Sequence, residues 1–282
     1  MTIDRLIKAG KEAGLEGEVA EAILTAGASS DGSKTANTRF YLAILGVLPW
    51  IGVMISAILA RWAENEQQGL NELHRRWLEE HDARLGELKS TIGQIEDRVE
   101  AFGEEAQDRL NSEEYLGLAR KGFRVWDRAD SRDKRELVRK VLTNAACSRM
   151  VGDEFVQRFI EWIDQYNELH FQVIRCVYSQ PHITRSGIWE EIHGQAVRED
   201  SAEADLFKLL IRDLSTGGVL RQYRETDTFG NFVRKPARRP TRGGITTTKS
   251  AFDDEEPYVL TELGGHFVSY ALNEVVPRLP ES

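Results

Sequence analysis

The side chains best suited to metal ligation or nucleophilic chemistry are six histidines (His74, His81, His170, His182, His193 and His266) and two cysteines (Cys147 and Cys176). A zinc site needs its ligands at spacings that turn them to one point. The chain has no HExxH pair and no paired Cys/His spacing. Glu190 and His193 form one ExxH, but a di-iron site needs a second such motif and further glutamates. Neither a phosphate-cradling glycine loop nor the GxSxG elbow of a serine nucleophile is present. We therefore expect a non-enzymatic protein with no metal and no other cofactor. Cys147 and Cys176, in helical stretches without CxxC spacing, read as buried thiols in a reducing compartment.

What remains is the chemistry of charge. The net charge of -9 argues against a general nucleic-acid coat, since nonspecific binding rests on a basic surface meeting phosphates. Any anion-binding role must be local. The strongest basic cluster is "RKPARRPTRGG", with Arg234, Lys235, Arg238, Arg239 and Arg242 kept extended by prolines and glycines. It can neutralise nucleic-acid phosphates, or bind anionic lipid at about 1 kcal/mol per basic residue near a membrane surface. A third reading is a solvated loop, balanced by the acidic run Asp253 to Glu256.

The other conspicuous feature is apolar. "FYLAILGVLPWIGVMISAILA", Phe40 to Ala60, holds no charged side chain and is flanked by Arg39 and Arg61. Its length matches the roughly 20 residues that cross a bilayer as one helix. Pro49 divides it into halves too short to cross alone, so a two-pass hairpin is excluded unless its arms borrow flanking residues. We expect a kinked single span; a re-entrant hairpin and a hairpin buried in the chain's own core are the alternatives. Gly52, Ser56 and Ala60 share a helix face at four-residue spacing, where small side chains and the bend at Pro49 suit self-association in lipid.

The elements around these features read as mainly helical. Residues 1–38 hold two short helices and the linker "GASSDGSKTANT", and residues 39–62 hold the apolar segment. Residues 63–112 read as one long, highly charged helix. Leu78, Leu85, Leu88, Ile92, Ile95, Val99 and Phe102 form a heptad seam there, with His81 at its weak position. Lys89, Glu96 and Arg98 flank it. Such a seam serves either a coiled coil between copies or an antiparallel bundle within one chain. Residues 113–168 read as bundle helices: one capped by Asp130 or Ser131, another burying Phe155, Phe159, Trp162, Ile163 and Tyr166.

From residue 169 to 282 the pattern changes. A helix over Glu168 to Ser179 is followed by a short one from Ser186 to Gly194. A third opens at a capping box, Asp200 with Glu203, and ends at Gly217 and Gly218. A strand, a long polar insertion, a returning strand at Tyr258 to Leu260 and a final helix complete it. "LIRDLSTGGVL" and "YVLTELGGHFVSY" resemble the turn from third helix to strand and the strand-to-helix exit of a winged-helix domain. The resemblance implies groove reading by the third helix and a wing that grips phosphate. Here Asp205 and Asp213 offset Lys208 and Arg212, which makes that helix a poor groove reader.

"KRELVRKVLTNAA" followed by helices and such an ending is similar to the Abi-alpha family of bacterial abortive-infection proteins. That likeness implies phage defence and carries over no catalytic residue. The expectation is a membrane-associated effector: its C-terminal part senses a protein trigger or partner, and it forms a homo-oligomer that perturbs membrane lipids of the bacterial inner membrane, with that part cytoplasmic. The alternatives are a winged-helix regulator binding nucleic acid through Arg234 to Arg242, and a cytoplasmic helical scaffold.

Overall fold

The computed structural model describes residues 38–51, 71–195, 197–225, 227–229, 233, 250–252 and 256–272, and these are mainly helical. The short helices expected before residue 38, the face of Gly52, Ser56 and Ala60, and the cluster Arg234, Lys235, Arg238, Arg239 and Arg242 lie outside them. The chain divides into two compact units, the first running to Asp164 and the second covering Gln165–Leu272.

The first unit contains α1 (Thr38–Leu45), α2 (Asn71–Phe102), α3 (Glu104–Leu110), α4 (Glu113–Arg128), α5 (Arg132–Cys147) and α6 (Asp153–Gln165). Serine hydroxyls start two of them. Ser112 accepts from the Tyr115 amide and Ser131 from the Lys134 amide, so each satisfies a donor that the first helical turn leaves open. The long helix expected through residue 112 stops at Phe102, because Gly103 adopts φ 90° and breaks the ladder. The buried stripe of α2 is Leu85, Leu88, Ile92, Ile95 and Val99, with Phe102 half-buried at the helix end. This is the heptad seam, and α2 packs on α5 of the same chain. An ion pair, Arg135 Nη1 to Glu87 Oε2 at 2.5 Å, stitches the two helices. The seam is thus covered inside the chain, while the other surface expected to self-associate, the face of Gly52, Ser56 and Ala60, lies outside the described residues.

The described half of the apolar run also has an intrachain place. Helix α1 ends at Leu45, and helical geometry resumes at Pro49–Ile51, where a proline suits the first position of a helix. Pro49 itself is exposed. Phe40, Ile44, Leu48 and Ile51 are buried to 2% exposure or less. Helix α1 packs on α4, with the Phe40 ring centroid 6.1 Å from Tyr115 and 6.5 Å from Phe123. Polar bonds fix the arrangement. Tyr41 donates to Glu96 at 2.5 Å, so a charge flanking the α2 seam serves α1. Trp50 Nε1 and Arg84 Nη2 both donate to Asp127 Oδ1 at 2.7 Å, and the Arg84 cation lies 5.5 Å from the Trp50 ring centroid. Residues 40–51 are therefore packed within the first unit, and residues 52–60 lie outside the described residues. Among the described residues no helix is long and apolar enough to cross a membrane.

Two local expectations need correcting. Phe155 is 40% exposed, while Val156, Phe159, Ile160, Trp162 and Ile163 form the buried face of α6. The third helix of the C-terminal part is capped by Ser201, which accepts from the Ala204 amide at 3.1 Å, and not by Asp200, whose carboxylate pairs with Arg198.

The second unit runs α7 (Glu168–Ser179), α8 (Arg185–His193), α9 (Ala202–Thr216), β1 (Leu220–Gln222), β2 (Tyr258–Leu260) and α10 (Glu262–Ala271). β1 and β2 pair antiparallel, Leu220 opposite Leu260 and Gln222 opposite Tyr258, and Ile183 adds a bridge to Tyr258. Two glycines make the corner between α9, the sheet and α10. Gly218 turns the chain with φ 79°. At Gly264 a Cβ would stand 2.3 Å from the Val219 carbonyl oxygen, a backbone atom that cannot swing away. Phe171, Ile174, Ile188, Phe207, Ile211, Leu214 and Phe267 fill the space between helices and sheet.

Phe40→Ala is expected to destabilise the first unit by about 3 to 5 kcal/mol, the usual cost of emptying a buried aromatic site. Chemical denaturation of the full chain measures it. A loss below about 1 kcal/mol, the size of an ordinary surface effect, would show that Phe40 is not a core residue.

Candidate functional site

The second unit gathers cations that are far apart in sequence. Arg185 opens α8, Lys208 and Arg212 stand one turn apart on α9, and Arg221 and Arg224 come from β1 and the residues after it. All five line one open hollow of about 600 Å³, together with Ser215, Thr216, Gln222 and Tyr258 and the apolar Ile211 and Leu220. None of its described lining residues is an aspartate or glutamate.

Helical periodicity explains the sorting on α9. Lys208, Arg212 and Ser215 follow the spacing of four and three that keeps side chains on one face, and Thr216 stands at its edge. Asp213 points elsewhere, its carboxylate 3.8 Å from Nε2 of His170 on α7. Asp205 does stay near the cations, 3.7 Å from Lys208 Nζ, with Glu199 at the same distance on that ammonium. Lys208 is thus partly neutralised, while Arg212 and Arg224 have no carboxylate partner among the described residues. The poor-reader expectation counted charges on the third helix without their directions. By direction, the helix turns its basic side to the hollow.

Tyr258 organises the floor. Its backbone N–H donates to Ile183 at 2.8 Å and its carbonyl accepts from His182 at 3.1 Å. Its ring is 2% exposed, and its hydroxyl accepts from Arg185 Nε at 2.9 Å and Arg185 Nη2 at 2.7 Å. The Gln222 amide is bonded to Glu256 and lies 3.5 Å from the same hydroxyl. Beyond the sheet, the segment returning to β2 is held by Glu199, whose carboxylate accepts from the Ser250 hydroxyl and, at 2.9 Å, from the Ala251 amide. The Ser250 bond first, then the Ala251 bond, holds the Glu199 carboxyl below its ordinary 4.5. Phe252 follows directly and stacks on Phe207, edge-on to Trp189.

Two of the histidines first singled out for chemistry have structural partners. His193 stacks on Trp189 at 3.9 Å, and His170 forms a capping box with Asn167. Cys147 and Cys176 are buried and unbridged, and burial, with Glu191 adding to it, pushes the Cys176 thiol up. Among the described residues no group of His, Cys, Asp and Glu is arranged to hold a metal ion. Sequence reasoning missed Arg185, Arg221 and Arg224. A signal existed in "VLRQYRE", where two arginines three residues apart directly follow the glycine turn that ends the third helix.

A depressed carboxylate pKa means that the Glu199 clamp contributes above the ordinary carboxylate value and is lost as pH falls through the lowered one. At neutral pH the clamp is closed. Glu199→Ala should therefore speed hydrogen exchange at the Ala251 amide about tenfold, the loss of one charge-assisted bond. Unchanged exchange would show that Glu199 does not hold this segment. No protein-family model, no curated protein and no solved structure matches this chain.

Proposed function

We propose that this chain is a non-enzymatic nucleic-acid-binding protein whose second unit is a winged-helix domain presenting the basic hollow to phosphodiester backbone. One observation carries the reading: five cations from α8, α9 and the β1 region converge on one concave face whose described lining holds no acid. A net charge of -9 opposes nucleic-acid binding overall, so a local positive face is what selects where phosphates dock. The order α7, Ile183 bridge, α8, α9, β1, β2 supports the winged-helix assignment, with α9 as the third helix and the residues between β1 and β2 as the wing. Arg234, Lys235, Arg238, Arg239 and Arg242, outside the described residues, add five cations to the sequence between β1 and β2.

The membrane-effector reading ranks behind this one. It requires Phe40, Ile44, Leu48 and Ile51 to leave the core they fill and the Trp50–Asp127–Arg84 bonds to break.

The test is binding of a short labelled DNA duplex to the full chain over a range of salt. The charge reversals Arg212→Glu and Arg224→Glu together should weaken binding about a hundredfold, two charge-assisted contacts' worth. They should also flatten the salt dependence by about 1.8 in log–log slope, since each neutralised phosphate contributes about 0.9. Absence of duplex binding at low salt sinks the proposal. So does binding that ignores both reversals, or binding of phosphatidylserine vesicles in place of the duplex.

A further inference from the structure

The five cations of the hollow differ in how they are held, and the difference picks out one of them. An arginine carries five N–H donors in a planar fork. Arg185 spends two of these, Nε–H and one on Nη2, along a single edge of the guanidinium, and both go to the Tyr258 hydroxyl. That acceptor is neutral, so the full positive charge remains. The end fork, Nη1 with the second hydrogen of Nη2, has no protein acceptor among the described residues, and the residue lines the hollow. Tyr258 cannot swing aside, because its ring is buried, its backbone N–H and carbonyl are bonded to Ile183 and His182, and Gln222 lies opposite it in the sheet register. A guanidinium fixed along one edge with its end fork unspent is pre-ordered for two parallel bonds to a phosphate, and little rotamer entropy is then lost on binding.

The lining also says what is not read. Adenine edges are recognised by bidentate amides, and hydroxyls also bond to base edges, while arginine serves phosphates as well as guanine. The one amide here, Gln222, is engaged by Glu256 and by Tyr258. Ser215, one of the two α9 hydroxyls in the lining, donates to the Ile211 carbonyl at 2.7 Å.

We propose that Arg185, aimed by the Tyr258 hydroxyl, is the residue that seats a backbone phosphate in this hollow, so that the domain grips nucleic acid independently of base sequence. The proposal rests on the nucleic-acid reading above and adds a positioning residue, Tyr258, and a mode of recognition to it.

The experiment measures duplex affinity and its salt slope for the full chain. Tyr258→Phe removes the hydroxyl and no charge, and should weaken binding about fivefold at unchanged salt slope, one hydrogen bond's effect. Arg185→Lys keeps the charge and loses the fork, and should do the same. The double variant should bind no more weakly than Arg185→Lys alone, because both changes remove one arrangement. Arg185→Gln should reduce the slope by about 0.9. Duplexes of unrelated sequence should bind alike. Wild-type affinity in Tyr258→Phe and Arg185→Lys, multiplying effects in the double variant, or a strong sequence preference would each overturn the proposal. Should Tyr258→Phe fold poorly, Arg185→Lys and Arg185→Gln decide it on their own. Insensitivity to Arg212→Glu with Arg224→Glu would instead remove the nucleic-acid reading itself.

Discussion

Everything in the basic face depends on one tyrosine being immovable. Tyr258 pairs with Gln222 across the sheet, bridges to Ile183 and buries its ring, so that a strand of three residues fixes α8, β1 and the start of α10 relative to one another. Its hydroxyl then holds Arg185, the cation at the floor of the hollow. Like charges gathered in one place repel, by about 4 kcal/mol at 4 Å near a protein surface. A neutral acceptor that orients a guanidinium without quenching its charge keeps that repulsion available for an arriving anion. The glycine corner serves the same end: Gly264 lets α10 close on the Val219 carbonyl, which seats β1 and with it Arg221 and Arg224.

The elements of the second unit were legible because their punctuation is local. Pro181, Gly194, Gly217 and Gly218 mark helix ends, and Thr261 caps the last helix by accepting from the Gly264 amide. Caps were legible to within a residue: Ser201 instead of Asp200, because both types serve and only geometry decides. The hollow was not legible. Its cations lie on three elements up to 39 positions apart, from Arg185 to Arg224, and a linear charge count sets Asp213 against Arg212 although the helix turns them to different neighbours. Density of charge along the chain drew attention to Arg234 to Arg242, whereas convergence in space picked out Arg185, Arg212 and Arg224.

The apolar run teaches the same lesson from the other side. Length and lack of charge between Phe40 and Ala60 match a bilayer span, yet hydropathy cannot tell lipid from a protein core. The discriminating signals were polar and small in number: Tyr41, whose hydroxyl reaches Glu96, and Trp50, whose indole reaches Asp127. A heptad seam is equally silent on its partner. Leu85 to Val99 would suit another copy, and α5 supplies the covering helix from the same chain, with Arg135 answering Glu87.

Hydrogen exchange of the full chain with and without a DNA duplex tests the central claim most directly. The account predicts protection confined to the segment around Arg185, the second half of α9 and β1 through Arg224, with residues 40–51 unchanged. Exchange unaltered at those three segments, or slowed instead at residues 40–51 on adding lipid vesicles, would contradict it.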